Sequence, residues 1–202
     1  MRPFPVAWPV VLLAGCTSMA GTMEGEEIAE AQDAFYDTMM YQMGVHHYRL
    51  FAVFVTSASD GCEVLDRLER MEGSCGAQCL EIVEIAEDHL SGRALWTLGL
   101  LLATTGEADQ DYEWYDSIEE ASFSASLDRT DLLDVYDRAA CKAACLDEDL
   151  MPVETWIATG GSVKVRHWRE ERHLRGRYEI TFEDGTVEGS FDAEYCPGLF
   201  VS

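Results

Sequence analysis

The clearest pattern in the chain is alternation of apolar and polar positions. Ala121, Phe123, Ala125 and Leu127 are separated by Ser122, Ser124 and Ser126, the period-two signature of a strand with one buried face. The same period returns from Ser162 onward, through Val163 and Val165, then Tyr178, Ile180 and Phe182, then Val187, Phe191 and Ala193. Between the last two runs stands Glu183-Asp184-Gly185-Thr186, and Asp-Gly is a favoured hairpin pair. Two other runs are apolar without alternating. His47 to Thr56, with Tyr48, Phe51, Val53, Phe54 and Val55, is bounded by Ser57, Ser59, Asp60 and Gly61, which predicts a buried strand. Ala94 to Thr104 is apolar on both faces and ends before Gly106, which suits a central strand.

Helical spacing is confined to a few segments. Val64, Leu65, Leu68 and Met71 follow Asp60, a cap residue, and predict a helix over Cys62 to Met71. Leu80, Val83, Ala86, Glu87 and Leu90 predict a second, stopped by Ser91-Gly92. Asp131 to Leu146 predicts a further short helix, and Leu150 to Thr155 a connection. Ile28 to Met43 reads both ways: Ile28, Ala31, Phe35 and Met39 have helical spacing, while Ala34, Tyr36 and Tyr41 suit a strand. The sum is an α+β chain, mainly antiparallel β in a sandwich or barrel-like sheet, with a helical insertion around residues 60 to 90.

The amino terminus carries a different signal. Arg2, the apolar stretch Val6 to Leu13 and then Leu13-Ala14-Gly15-Cys16 resemble a bacterial lipoprotein signal with its lipobox. The resemblance implies cleavage before Cys16, lipid on that cysteine and, with Thr17 rather than Asp following, the outer membrane. The apolar run is too short to span a bilayer, which takes about 20 residues. On this reading residues 1–15 are a signal peptide, 16–27 a small, polar tether and 28–202 one β-rich domain. Lipid at Cys16 makes the membrane a partner, with the acidic body standing off anionic headgroups.

Export changes the meaning of the cysteines. Cys62, Cys75, Cys79, Cys141, Cys145 and Cys196 remain, and an even set in an oxidising compartment predicts disulfides. Six cysteines allow about 15 pairings. Cys75 with Cys79 and Cys141 with Cys145 each lie four apart in segments of helical pattern, poorly aimed at one another, so cross-bridging of the two pairs is attractive and would leave Cys62 with Cys196. A zinc site from the two pairs is the weaker alternative.

The carboxy-terminal residues carry a family resemblance. Arg175-Gly176-Arg177-Tyr178-Glu179-Ile180-Thr181-Phe182, then Gly185, then Gly189-Ser190-Phe191-Asp192-Ala193-Glu194-Tyr195-Cys196 resemble the final hairpin of uncharacterised lipoproteins common in myxobacteria. Phe54 to Leu65, a strand closing at a cysteine that opens a helix, and Gly161 to Val165 fit the same pattern. The resemblance implies a secreted β-rich domain of no known activity, and its recurring strand-end and final cysteines favour Cys62 with Cys196.

Charge narrows the functional classes. With 38 acidic against 14 basic residues the chain carries −24, so nucleic acid is repelled at long range. Asp109, Asp111, Glu113, Tyr115, Ser117 and Glu120 fall on EF-hand positions, but Trp114 replaces the turn glycine, leaving at most loose calcium binding, with a solvated acidic face the simpler account. His46 and His47 point to opposite faces of a strand, and no metalloprotease pair, nucleophile elbow or phosphate loop is present. Trp96, Trp114, Tyr115, Trp156 and Trp168 read more simply as core packing than as a carbohydrate platform. One segment reverses the charge: Lys164, Arg166, Arg169, Arg172, Arg175 and Arg177 outnumber Glu170 and Glu171. Alternation places Lys164, Arg166 and Trp168 on one face, with Arg175 and Arg177 on the facing strand. This face pairs with the protein's own acids or docks an acidic polysaccharide, headgroup or protein. The function that fits best is a noncatalytic binding or structural module of the cell envelope. A hydrolase without a recognisable motif and a calcium-stabilised surface module are the alternatives.

Overall fold

Strong alternation in the last third of the chain builds three consecutive strands: β9 (Gly160–Arg169), β10 (His173–Thr181) and β11 (Gly185–Tyr195). In the computed structural model, which describes residues 17–69, 75–90, 94–114, 121–131 and 153–199, they pair antiparallel in that order. Leu174, Tyr178 and Ile180 of β10 are buried, and the charged residues between them are exposed. Upstream lie β3 (Asp33–Met43), β4 (His46–Thr56), β5 (Ala94–Thr104), β6 (Asp111–Trp114) and β7 (Ser122–Asp131). Pairing runs β10, β9, β6, β7, β5, β4, β3, β11 and back to β10, a closed eight-stranded barrel. Two joints are parallel: β6 with β7, and β11 with β3 through Glu194 beside Phe35 and Tyr195 beside Tyr36. Closure removes the exposed sheet edges that a flat sheet would present.

The barrel encloses side chains. Tyr36, Phe51, Val53, Leu98, Leu100, Tyr112, Phe123, Leu127, Val163 and Ile180 belong to one buried cluster drawn from every part of the wall. Eight strands leave an interior that side chains can fill. Tyr112 donates from its hydroxyl to the Ala108 carbonyl at 3.1 Å, and burial pushes its pKa up to about 12.

Three strands lie outside the ring. β8 (Val153–Ile157) pairs with β7, so the stretch expected as a connection after Leu150 is strand from Val153. β1 (Ser18–Met23) pairs antiparallel along β11, from Ser18 beside Ser190 to Met23 beside Gly185, and β2 (Glu26–Glu27) folds back on it. The sequence suggests a tether over residues 16–27, yet the sheet begins at Ser18, two residues past Cys16. Gly21, one of the small residues that suggested a linker, serves close approach instead, since a Cβ there would collide with the Thr186 carbonyl. A Cβ on Gly189 would collide with the Ser18 carbonyl and the Tyr178 ring, and the Tyr178 hydroxyl donates to that same carbonyl at 2.8 Å.

The insertion is helical as expected: α1 (Gly61–Glu69) and α2 (Cys75–His89) pack together through Val64, Ile82, Val83, Ile85 and Ala86, against Ala58 and Leu95. Helical cover explains why β3 reads ambiguously. Tyr36 and Ala34 join the barrel interior, while Phe35 faces out beneath Gly61 and stacks on Phe54 with ring centroids 5.4 Å apart. Burial on both faces erases alternation. Cys62 at the start of α1 bonds to Cys196 at the end of β11, closing a separation of 134 residues. That is the pairing the lipoprotein resemblance favoured. Cys75 and Cys79 stand in the first turns of α2 but their side chains, like Cys16, Cys141, Cys145 and the helix expected over Asp131 to Leu146, lie outside the described residues.

Candidate functional site

Pairing register assembles the basic segment into a surface. On the outer face, Lys164 lies beside Arg177, which lies across from Ser190, with Ser18 next. One row nearer the β9–β10 turn, Arg175 lies across from Asp192. Lys164 forms an ion pair with Asp111 of β6, and Arg175 donates from Nε to Asp192 at 2.8 Å. Asp192 also lies 3.7 Å from His173. Cross-strand pairing with the protein's own acids therefore accounts for two of the four cations. Arg166 and Arg177 form no ion pair among the described residues. Arg177 borders a shallow groove of about 550 Å³ lined by Ser18, Ser162, Ser190, Gly189 and the acids Glu179 and Glu188.

Trp168 does not belong to this face. The register shifts between Arg175 and Gly176, so that Arg175 pairs with His167 and Gly176 with Val165, leaving Arg166 as the extra residue. A bulge of this kind reverses the phase of alternation beyond it. Arg166 and His167 both face out, and Trp168 turns in against Phe51, ring centroids 5.5 Å apart, beneath the Arg49 guanidinium at 4.5 Å. Gly176 accommodates the kink, since a Cβ there would strike the Phe191 ring. Sequence alternation alone carries no sign of the slip.

Trp96, Trp114 and Trp156 are also packing residues, and Tyr115 lies outside the described residues. Trp96 stacks on Trp156 at 5.8 Å with Arg129 over its ring, and Trp114 packs against the barrel core. Asp111 and Glu113 lie on the exposed side of β6 with Tyr112 buried between them. A strand separates them by about 6–7 Å, and Asp111 is engaged by Lys164; Tyr115, Ser117 and Glu120 lie outside the described residues. Among the described residues, no three His, Cys, Asp or Glu side chains converge as a metal site would require. His46 and His47 are exposed on the β3–β4 hairpin.

A second feature had no sequence signature. Where β3 begins and β11 ends, a cleft of about 890 Å³ runs beside the disulfide, bordered by Asp33, Asp60, Glu63, Asp66 and Glu194 with Leu65 and Tyr195. Asp33 organises it, accepting from the amides of Ala34 at 2.8 Å and Gly61 at 2.6 Å. The carboxylate that opens α1 thus comes from Asp33. Asp60, the expected cap, instead lies 3.7 Å from His89. Desolvation by burial raises the pKa of Asp33, opposed by those two amides and reinforced by the charges of Asp60 and Glu194. Asp37, two periods of alternation further along β3, accepts from the amides of Gly198 and Leu199 at 3.0 and 3.1 Å. These partners are remote in sequence, which is why spacing could not reveal them.

No family model matches the chain, and no curated protein and no solved structure is significantly similar to it.

Proposed function

We propose that the chain is a lipid-anchored protein of the cell envelope, probed by its ligands on the outside of the barrel, and that it serves as a binding or structural module. The observation that carries this reading is the occupied interior: aromatic and aliphatic side chains from all round the wall fill the space in which a larger barrel would hold a small ligand. Recognition is thereby moved to the outer faces. The basic face is the better candidate, because Arg166 and Arg177 form no ion pair among the described residues and Arg177 borders a groove lined by serine, glycine, Glu179 and Glu188, from which its guanidinium can engage an acidic polysaccharide or an acidic protein segment.

The anchor reading rests on Leu13-Ala14-Gly15-Cys16 and on the resemblance of the last hairpin to myxobacterial lipoproteins. Incorporation of labelled fatty acid, lost in Cys16→Ser, supports it; equal label in that variant overturns it. For the ligand face, retention on an immobilised carboxylated polysaccharide at low salt is the measurement. The double variant Arg166→Glu with Arg177→Glu should elute at clearly lower salt with an unchanged melting temperature. Identical elution of the two proteins rejects the face as a docking site.

A further inference from the structure

The hairpin joining β3 and β4 departs from the surface chemistry of the rest of the barrel. Four of the five large apolar side chains exposed among the described residues sit on it: Met40, Tyr41, Met43 and Val45, at 60, 39, 44 and 86% exposure. Of the 38 acidic residues in the chain, none falls between Thr38 and Tyr48. The turn is made by Gly44 at φ 64°, with nothing within 4 Å of where a Cβ would stand. A concentration of exposed apolar side chains of this kind marks a contact with something apolar.

Chain direction identifies the occupant. β1 runs antiparallel to β11, and β3 runs parallel to it along the same edge. The amino end of β1 therefore points the same way as the tip of the β3–β4 hairpin, and the two lie on one flank. Nothing slack intervenes at the amino end, because the Thr17 hydroxyl already accepts from the Asp192 amide at 3.3 Å. A lipid on Cys16 would hold this flank against the bilayer. We propose that the β3–β4 tip, through Met40, Tyr41, Met43 and Val45, rests in the headgroup region of the bilayer that Cys16 anchors. This inference rests on the anchored reading above.

The contact is shallow for a physical reason. β11 pairs with β3 only at Phe35 and Tyr36, and β5 pairs with β4 only from Arg49 onward, so among the described residues the outer edges of the tip carry unpaired backbone groups. These are satisfied by water and headgroups but not by hydrocarbon. Tyr41 suits that interface, with an apolar ring and a polar hydroxyl. The tip lies about ten residues beyond Thr17 along the strand direction, roughly 30 Å at 3.3 Å per residue. The barrel therefore leans on this flank, touching at two points. The carboxylates of the Asp33 cleft, on the same flank, are repelled by anionic headgroups and keep the middle clear.

The test uses the full-length acylated protein in vesicles of phosphatidylethanolamine with a minority of phosphatidylglycerol, the lipids bearing a photoactivatable group near the headgroup. Mass spectrometry of the irradiated protein should find lipid adducts on residues 39–47. Met40→Ser with Val45→Ser should cut their yield several-fold while leaving the acyl mass on Cys16 and the melting temperature unchanged. Acylated Cys16 with an adduct-free tip overturns the contact and leaves the anchor standing. A tip cross-linked to a second copy of the chain, without lipid adducts, also overturns it and assigns the tip to self-association. Cys16 without acyl mass overturns the anchor, and the proposal with it.

Discussion

The two halves of β3 are built from similar residues and meet opposite fates. Ala34, Phe35 and Tyr36 are each at most 1% exposed, whereas Met40 and Met43 are half exposed. Both halves belong to one strand paired with β4 along its whole length. The difference is what lies on the remaining sides. The first half has β11 at its edge, the barrel interior behind Tyr36 and α1 over Phe35. The second half has none of these. Apolar sequence is therefore a statement about what a residue can be buried by, and the tertiary neighbours decide whether it is.

The sharpest way to break this comparison is to truncate one side chain in each half. Tyr36 is enclosed by Phe51 and Tyr195 and donates to the Arg169 carbonyl at 3.1 Å. Tyr36→Ala should lower the unfolding free energy by about 3–5 kcal/mol in urea titration, as for other large aromatic truncations. A loss below about 1 kcal/mol would show that the enclosed half is less tightly packed than its burial implies. Next in size is the disulfide that pins α1 over the enclosed half. Replacing Cys62 and Cys196 together by Ala should cost roughly 2–5 kcal/mol, read from the same denaturation curves. An unchanged midpoint would mean that the helix is held by packing alone.

A smaller effect is expected at the entrance of the strand. The pKa of Asp33 is raised above its ordinary 3.8, chiefly by burial, so the folded state holds its proton more tightly than the unfolded chain. Its contribution to stability is then present below the ordinary value and lost as pH rises through the raised one. Between those limits the melting temperature should fall with rising pH by a step that Asp33→Asn removes; an identical pH profile in the variant rejects the assignment. The smallest effect belongs to the tip. Met43→Ser should change stability by no more than about 0.5 kcal/mol, and a larger loss would show that the exposed half is packed in solution.

Much of the fold was legible because it depends on local pattern. The alternation of Phe123 to Leu127 and of Tyr178 to Ile180, the Asp-Gly turn before β11 and the helical stripe through Val64 and Val83 each report a period that one strand or helix face imposes on its own sequence. Features that depend on two distant segments were not legible. The reach of Asp33 to Gly61, the register shift that turns Trp168 inward and the recruitment of Ser18 to Met23 onto the sheet beside β11 all come from partners far away in the chain. The candidate basic face was half legible for the same reason. Its cations could be counted, but their pairing with Asp111 and Asp192 required the register.

By itself, then, the sequence determined that this is a mainly antiparallel β protein with a helical insertion, since hydrophobic period is a property of each segment alone. Only the tertiary structure decided that the sheet closes into a filled barrel, that the stretch suggesting a tether is largely strand, and that one apolar hairpin is left uncovered by the described residues. Closure and cover are relations between segments, and a one-dimensional pattern does not specify which segments meet.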